Sequence, residues 1–311
     1  MTRAMARYLV ATLLCLAPAA QASDAWSPFH RSLGGSSVRV AYVHLQMEQT
    51  PRHREAGRRR IETRHEICRQ GKEAARLVGE APGPYRALPP EGVPQRPWVE
   101  DIEIYYGEGR SVTVVTSTTY WVHSGGPTAR YPDRKDDCAL ARTTSRTIYY
   151  VDGATECKLR QREGRPDLKM SCKQVPGRAK ANVAAPGIVV VVPIPQTPRG
   201  AGGQPTALPD AALPMLEGTG ESRTIAGRPC RVFGTPDLTE TCVATQVDPA
   251  ILQVSPFHSV SGLLLQAVMI DRSYTARQVE DGIEVGDDLF RILDGNEVSA
   301  ERLPLLPAGH R

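Results

Sequence analysis

Aromatic residues are scarce in this chain, at 5% of 311 residues, which leaves few stacking rings to line a sugar-binding cleft. Catalytic signatures are missing too. There is no H-E-x-x-H, G-x-S-x-G, Walker loop or dinucleotide fingerprint, and no C-x-x-C-H haem site. Long hydrophobic runs are also lacking. Tyr8 to Ala20 is apolar, but it falls short of the roughly 20 residues that span a bilayer, and Pro18 interrupts it. With Arg3 and Arg7 before it and Ala20-Gln21-Ala22 after it, residues 1–22 read as a cleavable export signal. Leu14 before Cys15 does not suit a lipid-attachment site. After cleavage no transmembrane segment is expected, and the protein is expected to be exported, with the periplasm as its compartment. A surplus of one charge is absent as well. Without Arg3 and Arg7, 36 basic side chains face 34 acidic ones, which argues against nucleic acid as a partner.

What is present begins with six cysteines beyond the signal: Cys68, Cys138, Cys157, Cys172, Cys230 and Cys242. An even count in an oxidising compartment points to disulfides. Cys230 and Cys242 flank the turn Gly234-Thr-Pro-Asp-Leu, and Cys157 and Cys172 flank Gly164-Arg-Pro-Asp, so each pair suits a hairpin. Cys68 and Cys138 are then left to each other, with Cys138 to Cys157 as the alternative. A metal site is the rival reading, but the spacings are wide and no C-x-x-C occurs. No metal and no cofactor are expected.

Residues 23–311 read as a single mainly β domain, a curved antiparallel sheet or half-open barrel with one or two short helices, stapled by disulfides. The 26 prolines and 27 glycines make it turn-rich. Ser37 to Thr50 alternates as a strand. Trp98 to Tyr106 and Arg110 to His123 form the clearest hairpin, two β-branched and aromatic runs about a glycine-bearing turn. Thr147 to Val151, Cys157 to Arg160 and Leu168 to Lys173 add strands. Glu221 to Ile292 reads as a further row of strands and is the stretch around which the chain is organised.

Arg52 to Arg69 carries seven arginines. A patch for anionic lipid or nucleic acid is the sharper reading. A solvated strand is the preferred one, with Ile61, Thr63, His65 and Ile67 on one side. A helix is the alternative, because Glu62/Glu66 and Arg60/Arg64 stand four apart. Residues 176–221 form a Pro/Gly/Ala-rich loop region around one apolar island: Ile188, Val189, Val190, Val191, Val192, then Pro193 and Ile194. The island is a buried strand or a candidate cavity lid. Asp248 to Val254 suits a short helix, with Asp248 as N-cap and Pro249 first in the helix.

Candidate chemistry is thin. His65, Glu66 and Cys68 group three potential ligands, but along one strand His65 and Glu66 point apart. His258-Ser259 lacks a glycine elbow and an acid, and His123 stands alone. Tyr105, Tyr106, Tyr120 and Trp121 suit sheet packing rather than a stacking platform.

The last third resembles the LolA/LolB-like superfamily of periplasmic lipoprotein carriers and their exported relatives. The resemblance rests on Thr224-Ile-Ala-Gly-Arg-Pro-Cys-Arg-Val-Phe, Glu240-Thr-Cys-Val-Ala, Gly262-Leu-Leu-Leu-Gln-Ala-Val, Tyr274-Thr-Ala-Arg-Gln-Val and Val285-Gly-Asp-Asp-Leu-Phe-Arg-Ile. It covers roughly a quarter of the chain and implies a half-open antiparallel barrel closed by short helices. In those carriers an arginine inside the cavity and a cavity-filling helix control release. Neither has a matching position here, so no site residue is carried over. The expected function is non-enzymatic: an exported protein binding a lipid, acyl chain or lipoprotein in the half-barrel. The alternative is a structural module of the envelope with a self-filled core and a protein partner. A hydrolase using His258 and Ser259, or His123, ranks third.

Overall fold

The computed structural model describes residues 28–107, 110–125, 135–152, 155–163, 165–174, 217–235, 239–244, 263–291, 293–294, 297–298 and 306. The export signal, residues 176–216 with the apolar island, Asp248 to Val254 and His258-Ser259 lie outside them.

A 3-10 turn, Phe29–Ser32, leads into β1 (Ser37–Gln49) and the helix α1 (Pro51–Leu77). Five strands follow: β2 (Trp98–Gly107), β3 (Arg110–Val122), β4 (Leu140–Asp152), β5 (Thr155–Arg162) and β6 (Arg165–Gln174). The C-terminal half supplies β7 (Glu217–Ile225), β8 (Arg228–Thr235), β9 (Thr239–Ala244), β10 (Leu263–Val268) and β11 (Arg272–Gly286). The short helix α2 (Asp288–Arg291) and a small hairpin, β12 (Leu293–Asp294) and β13 (Glu297–Val298), complete the described elements. Strands β1 to β11 make one antiparallel sheet in the order β6-β5-β4-β3-β2-β1-β11-β10-β9-β8-β7. Each half is thus a run of sequential neighbours, and the halves are joined by β1 on β11, from Ser37 opposite Gly286 to Gln49 opposite Arg272.

Period-two alternation gives the sheet two faces. Ala41, Val43, Leu45 and Met47 of β1, with Ile102, Ile104 and Tyr106 of β2, belong to an inner core shared with Val232, Val243, Leu263, Leu265 and Tyr274. The intervening Val40, Tyr42 and Tyr105 point the other way. There they pack with Val112, Val114 and Ile148 beneath Phe29, Leu289 and Phe290. The 3-10 turn and α2 therefore cover the outer face of the N-terminal half. A tight contact fixes α2: Asp287 accepts from the Ser36 amide at 3.0 Å, and a Cβ on Gly286 would collide with the Gly34 carbonyl.

The Arg52 to Arg69 stretch is a helix, which overturns the preferred strand reading. The helix runs for 27 residues, so it is also not one of the short helices expected. Its buried side chains are Ile61, His65, Cys68 and Lys72, spaced four, three and four, which is the helical period. A strand would have buried Ile67 alongside Ile61, yet Ile67 is 62% exposed. Thr50 caps the N-terminus by accepting from the His53 amide, and Pro51 takes the first turn, where its missing N–H costs nothing. Ion pairs one turn apart support it: Arg59 with Glu55 at 2.9 Å and Arg69 with Glu73 at 3.0 Å.

Three disulfides staple the fold. Cys157–Cys172 joins directly opposed residues of β5 and β6, and Cys230–Cys242 crosses from β8 to β9. Of the two partners open to Cys138, the structure has Cys68, so α1 is tied to the segment before β4. Around that link Ile61 packs with Val93 and Val122, while Lys72 Nζ donates to Asp136 at 2.7 Å. Such bridges belong to an oxidising compartment and fit an exported protein. No described helix is long and apolar enough to cross a membrane.

Cys68–Cys138 spans 70 residues, and closing a loop of that size in the unfolded chain is worth about 4 kcal/mol. The C68S/C138S double variant is therefore expected to lose about 4 kcal/mol in urea unfolding. Tryptic cleavage within α1 should accelerate in parallel.

Candidate functional site

The inner face encloses a cavity of 330 Å³. Its lining comes from β1 to β5 on one side and from β9, β10 and β11 on the other. Thr147 of β4 and Thr241 of β9 face the same space, although five strands lie between theirs in the sheet order. The sheet is therefore curled into a half-barrel, and its edge strands do not meet. Leu45, Ile102, Ile104, Val115, Leu264 and Ala267 make the floor apolar.

Polar groups gather in one row at the end of the floor. Register places Glu100 opposite Ser117, and Ser117 opposite Ser145. Tyr274 of β11 donates its hydroxyl to Glu100 Oε1 at 2.8 Å, across the β1 strand between them. Burial raises the Glu100 carboxyl above the usual carboxylate range, against the pull of Tyr274 and Arg272. The same burial, with the Glu100 charge beside it, raises the Tyr274 phenol. Arg272 lies over the Trp98 ring at 4.4 Å and pairs with Asp271 at 2.8 Å. Arg160 of β5 lines the far wall. The cavity thus offers an apolar trough with a carboxyl, a phenol and two serines at one end.

A second polar cluster lies on the outer face. Glu103, 3% exposed, accepts from the Phe29 amide at 2.8 Å, from Tyr105 at 2.6 Å and from Tyr42 at 3.4 Å. His30 sits against the Tyr105 hydroxyl at 3.2 Å, and Arg146 covers the Phe29 ring at 4.9 Å. Burial raises the Glu103 carboxyl; its hydrogen bonds and the nearby His44 and Arg146 only partly offset this. Burial likewise lowers Arg146 and His30. The cluster fastens the 3-10 turn to the sheet. Phe29 roofs it, and none of its residues lines the inner cavity.

The residues singled out in the sequence do not converge. His65 is buried in α1 with Nε2 on the Arg86 carbonyl at 3.1 Å. Glu66 is held by Arg69 and Gln70; those bonds bring its carboxyl down to about 2. The strand geometry invoked to separate the two does not apply, but the helix separates them as well. Cys68 is in a disulfide. His123 Nδ1 meets Asp137 Oδ1 at 3.0 Å. Burial raises that carboxyl, yet the Ala139 amide and His123 together bring it below its ordinary value. The pair clamps the segment holding Cys138, and no serine or cysteine side chain is bonded to the His123 ring among the described residues. Tyr105 and Tyr106 are buried in the sheet, and Trp121 donates to Thr143 at 2.9 Å. No group of three potential metal ligands occurs among the described residues.

Sequence reading missed Glu100 and Glu103. The signal was available in Trp98-Val-Glu-Asp-Ile-Glu-Ile-Tyr-Tyr. Alternation sends Glu100 to the side of Ile102 and Ile104, and Glu103 to that of Tyr105, so both acids had to be buried or to line something. Comparisons with protein-family models, curated proteins and solved structures return no match.

The raised Glu103 carboxyl fixes the sign of a pH effect. A carboxyl whose folded pKa exceeds its unfolded value of about 4.5 stabilises the fold fully below that value. The contribution is lost as pH rises through the folded pKa. Between pH 4.5 and neutrality the unfolding free energy of the wild type should therefore fall relative to that of E103Q. Urea titrations at a series of pH values will show the two curves diverging.

Proposed function

We propose that this is a non-enzymatic exported binding protein that carries the apolar chain of a lipid, acyl compound or lipoprotein in the half-barrel. One observation carries the reading: the inner face keeps an open 330 Å³ trough with an apolar floor where a closed sheet would have packed its own side chains. The polar row at Glu100, Ser117 and Ser145 would take the head of the ligand and the floor its tail. The architecture suits a carrier of the LolA/LolB type, and the three disulfides suit the periplasm.

Magnitudes favour reversible binding. Ten methylenes withdrawn from water contribute roughly 8 kcal/mol, and association costs at least about 4 kcal/mol. A few kcal/mol remain, which a downstream acceptor can overcome.

Native mass spectrometry of protein exported under its own leader, followed by organic extraction, tests the proposal. A stoichiometric apolar adduct is the expected result. A bare polypeptide mass, together with no uptake of a fluorescent acyl probe, would overturn it. Thr147 is half-buried on the cavity wall, so T147W should fill the trough without disturbing the core. We expect at least tenfold weaker probe binding with an unchanged urea midpoint.

A further inference from the structure

The charges on α1 are unevenly sorted. Residues 51–77 carry eight arginines and one lysine against four glutamates, a surplus of five, whereas the whole chain has a surplus of four. The helix therefore holds the entire basic excess of the protein.

The sorting follows the helical period. From the buried stripe of Ile61, His65, Cys68 and Lys72, the glutamates lie round one flank. There they are taken up by Arg58, Arg59 and Arg69. On the other flank, one residue and about 100° away, run Arg60, Arg64, Ile67 and Gly71, again spaced four, three and four. All four are exposed. Arg60 and Arg64 have no side-chain partner among the described residues. Val78, eighteen residues after Arg60 and 74% exposed, continues the same line, and Leu77 beside it is 83% exposed. Ile67 thus stands one turn beyond Arg64 on the same exposed line, an aliphatic side chain beside two guanidinium groups that no carboxylate among the described residues takes up. It is the pattern of a helix lying in a lipid interface, with guanidinium groups on phosphates and aliphatic side chains among the acyl chains.

We propose that this flank of α1 docks the protein onto an anionic phospholipid surface. The disulfide from Cys68 and the Thr50 cap hold the helix rigid, so docking needs no folding step. The inference is independent of the cavity: it rests on the helix alone and holds whether or not the half-barrel carries a ligand.

Cosedimentation of the purified protein with vesicles tests it. Vesicles of phosphatidylcholine containing about one-third phosphatidylglycerol should retain the protein at low ionic strength and release it as added salt shortens the screening length. Vesicles of phosphatidylcholine alone should not retain it. R60E/R64E should weaken binding at least tenfold and R60K/R64K should preserve it. I67D should weaken it severalfold while leaving retention on a heparin column nearly unchanged. Equal binding to both vesicle types, no binding to either, or indifference to R60E/R64E would each overturn the proposal. Vesicle binding that I67D leaves intact would assign the flank to acidic polymers in general, and overturn it too.

Discussion

The antiparallel pairing of β1 with β11 is the constraint on which everything else rests. It joins residues near position 40 to residues near position 280, so forming it closes a loop of most of the chain. Such closure costs entropy, although only logarithmically in length, and it makes non-local pairing slow to form. The return is large. Without it the N-terminal run β2 to β6 and the C-terminal run β7 to β10 would be two open sheets, each with one bare apolar face. With it, Leu45 and Met47 of β1 pack in one core with Ala276 and Tyr274 of β11 and with strands beyond both. The cavity exists because these two strands sit at its centre and the halves curl round them.

Burial of acids is the counterweight. Glu100 and Glu103 lie three residues apart on β2 and so face opposite sides of the sheet. Both are desolvated, and both carboxyls are raised. Their surroundings differ in use. Glu103 accepts three hydrogen bonds on Oε1, from Phe29, Tyr42 and Tyr105, and it locks the start of the described chain against the outer face. Glu100 accepts from Tyr274 among the described residues and lines the cavity. One acid organises the turn packed over it; the other borders the cavity.

Strand existence was legible in the sequence because alternation survives wherever a sheet has two distinct faces. Ser37 to Thr50 and the Trp98 to His123 hairpin show it, whereas the Leu263 strand shows only as an apolar run. Pairing was not legible, because nothing in Val38 or Val285 states that they are partners. The Arg52 to Arg69 stretch misled for a definable reason. Ile61, Thr63, His65 and Ile67 alternate by residue type, but only Ile61 and His65 are buried. The decisive signals lay in the Thr50-Pro51 cap and in Cys68 and Lys72 four residues apart. The concave site was illegible until register was known, since Glu100, Tyr274 and Arg160 come from three distant strands.

Why the eleven described strands do not close on themselves bears on why the trough stays open. Closing the barrel would require β6 to pair with β7, and the edge at β7 is built against it. Its pairing with β8 is interrupted between Gly218 and Ser222, and Gly220 takes a positive φ of 78°, which only glycine adopts freely. Arg223 is held by Glu221 of the same strand at 2.7 Å and, inward over β8, by Glu240 of β9 at 2.9 Å. An irregular edge with committed charges is a poor template for another strand. Near either end a disulfide fixes the hairpin, Cys157–Cys172 in one half and Cys230–Cys242 in the other. The ends are thus held in shape and kept apart. Among the described residues the inner face around Leu45, Ile102, Ile104 and Leu264 therefore stays an open trough, because the two ends of the sheet are not shaped to pair with each other.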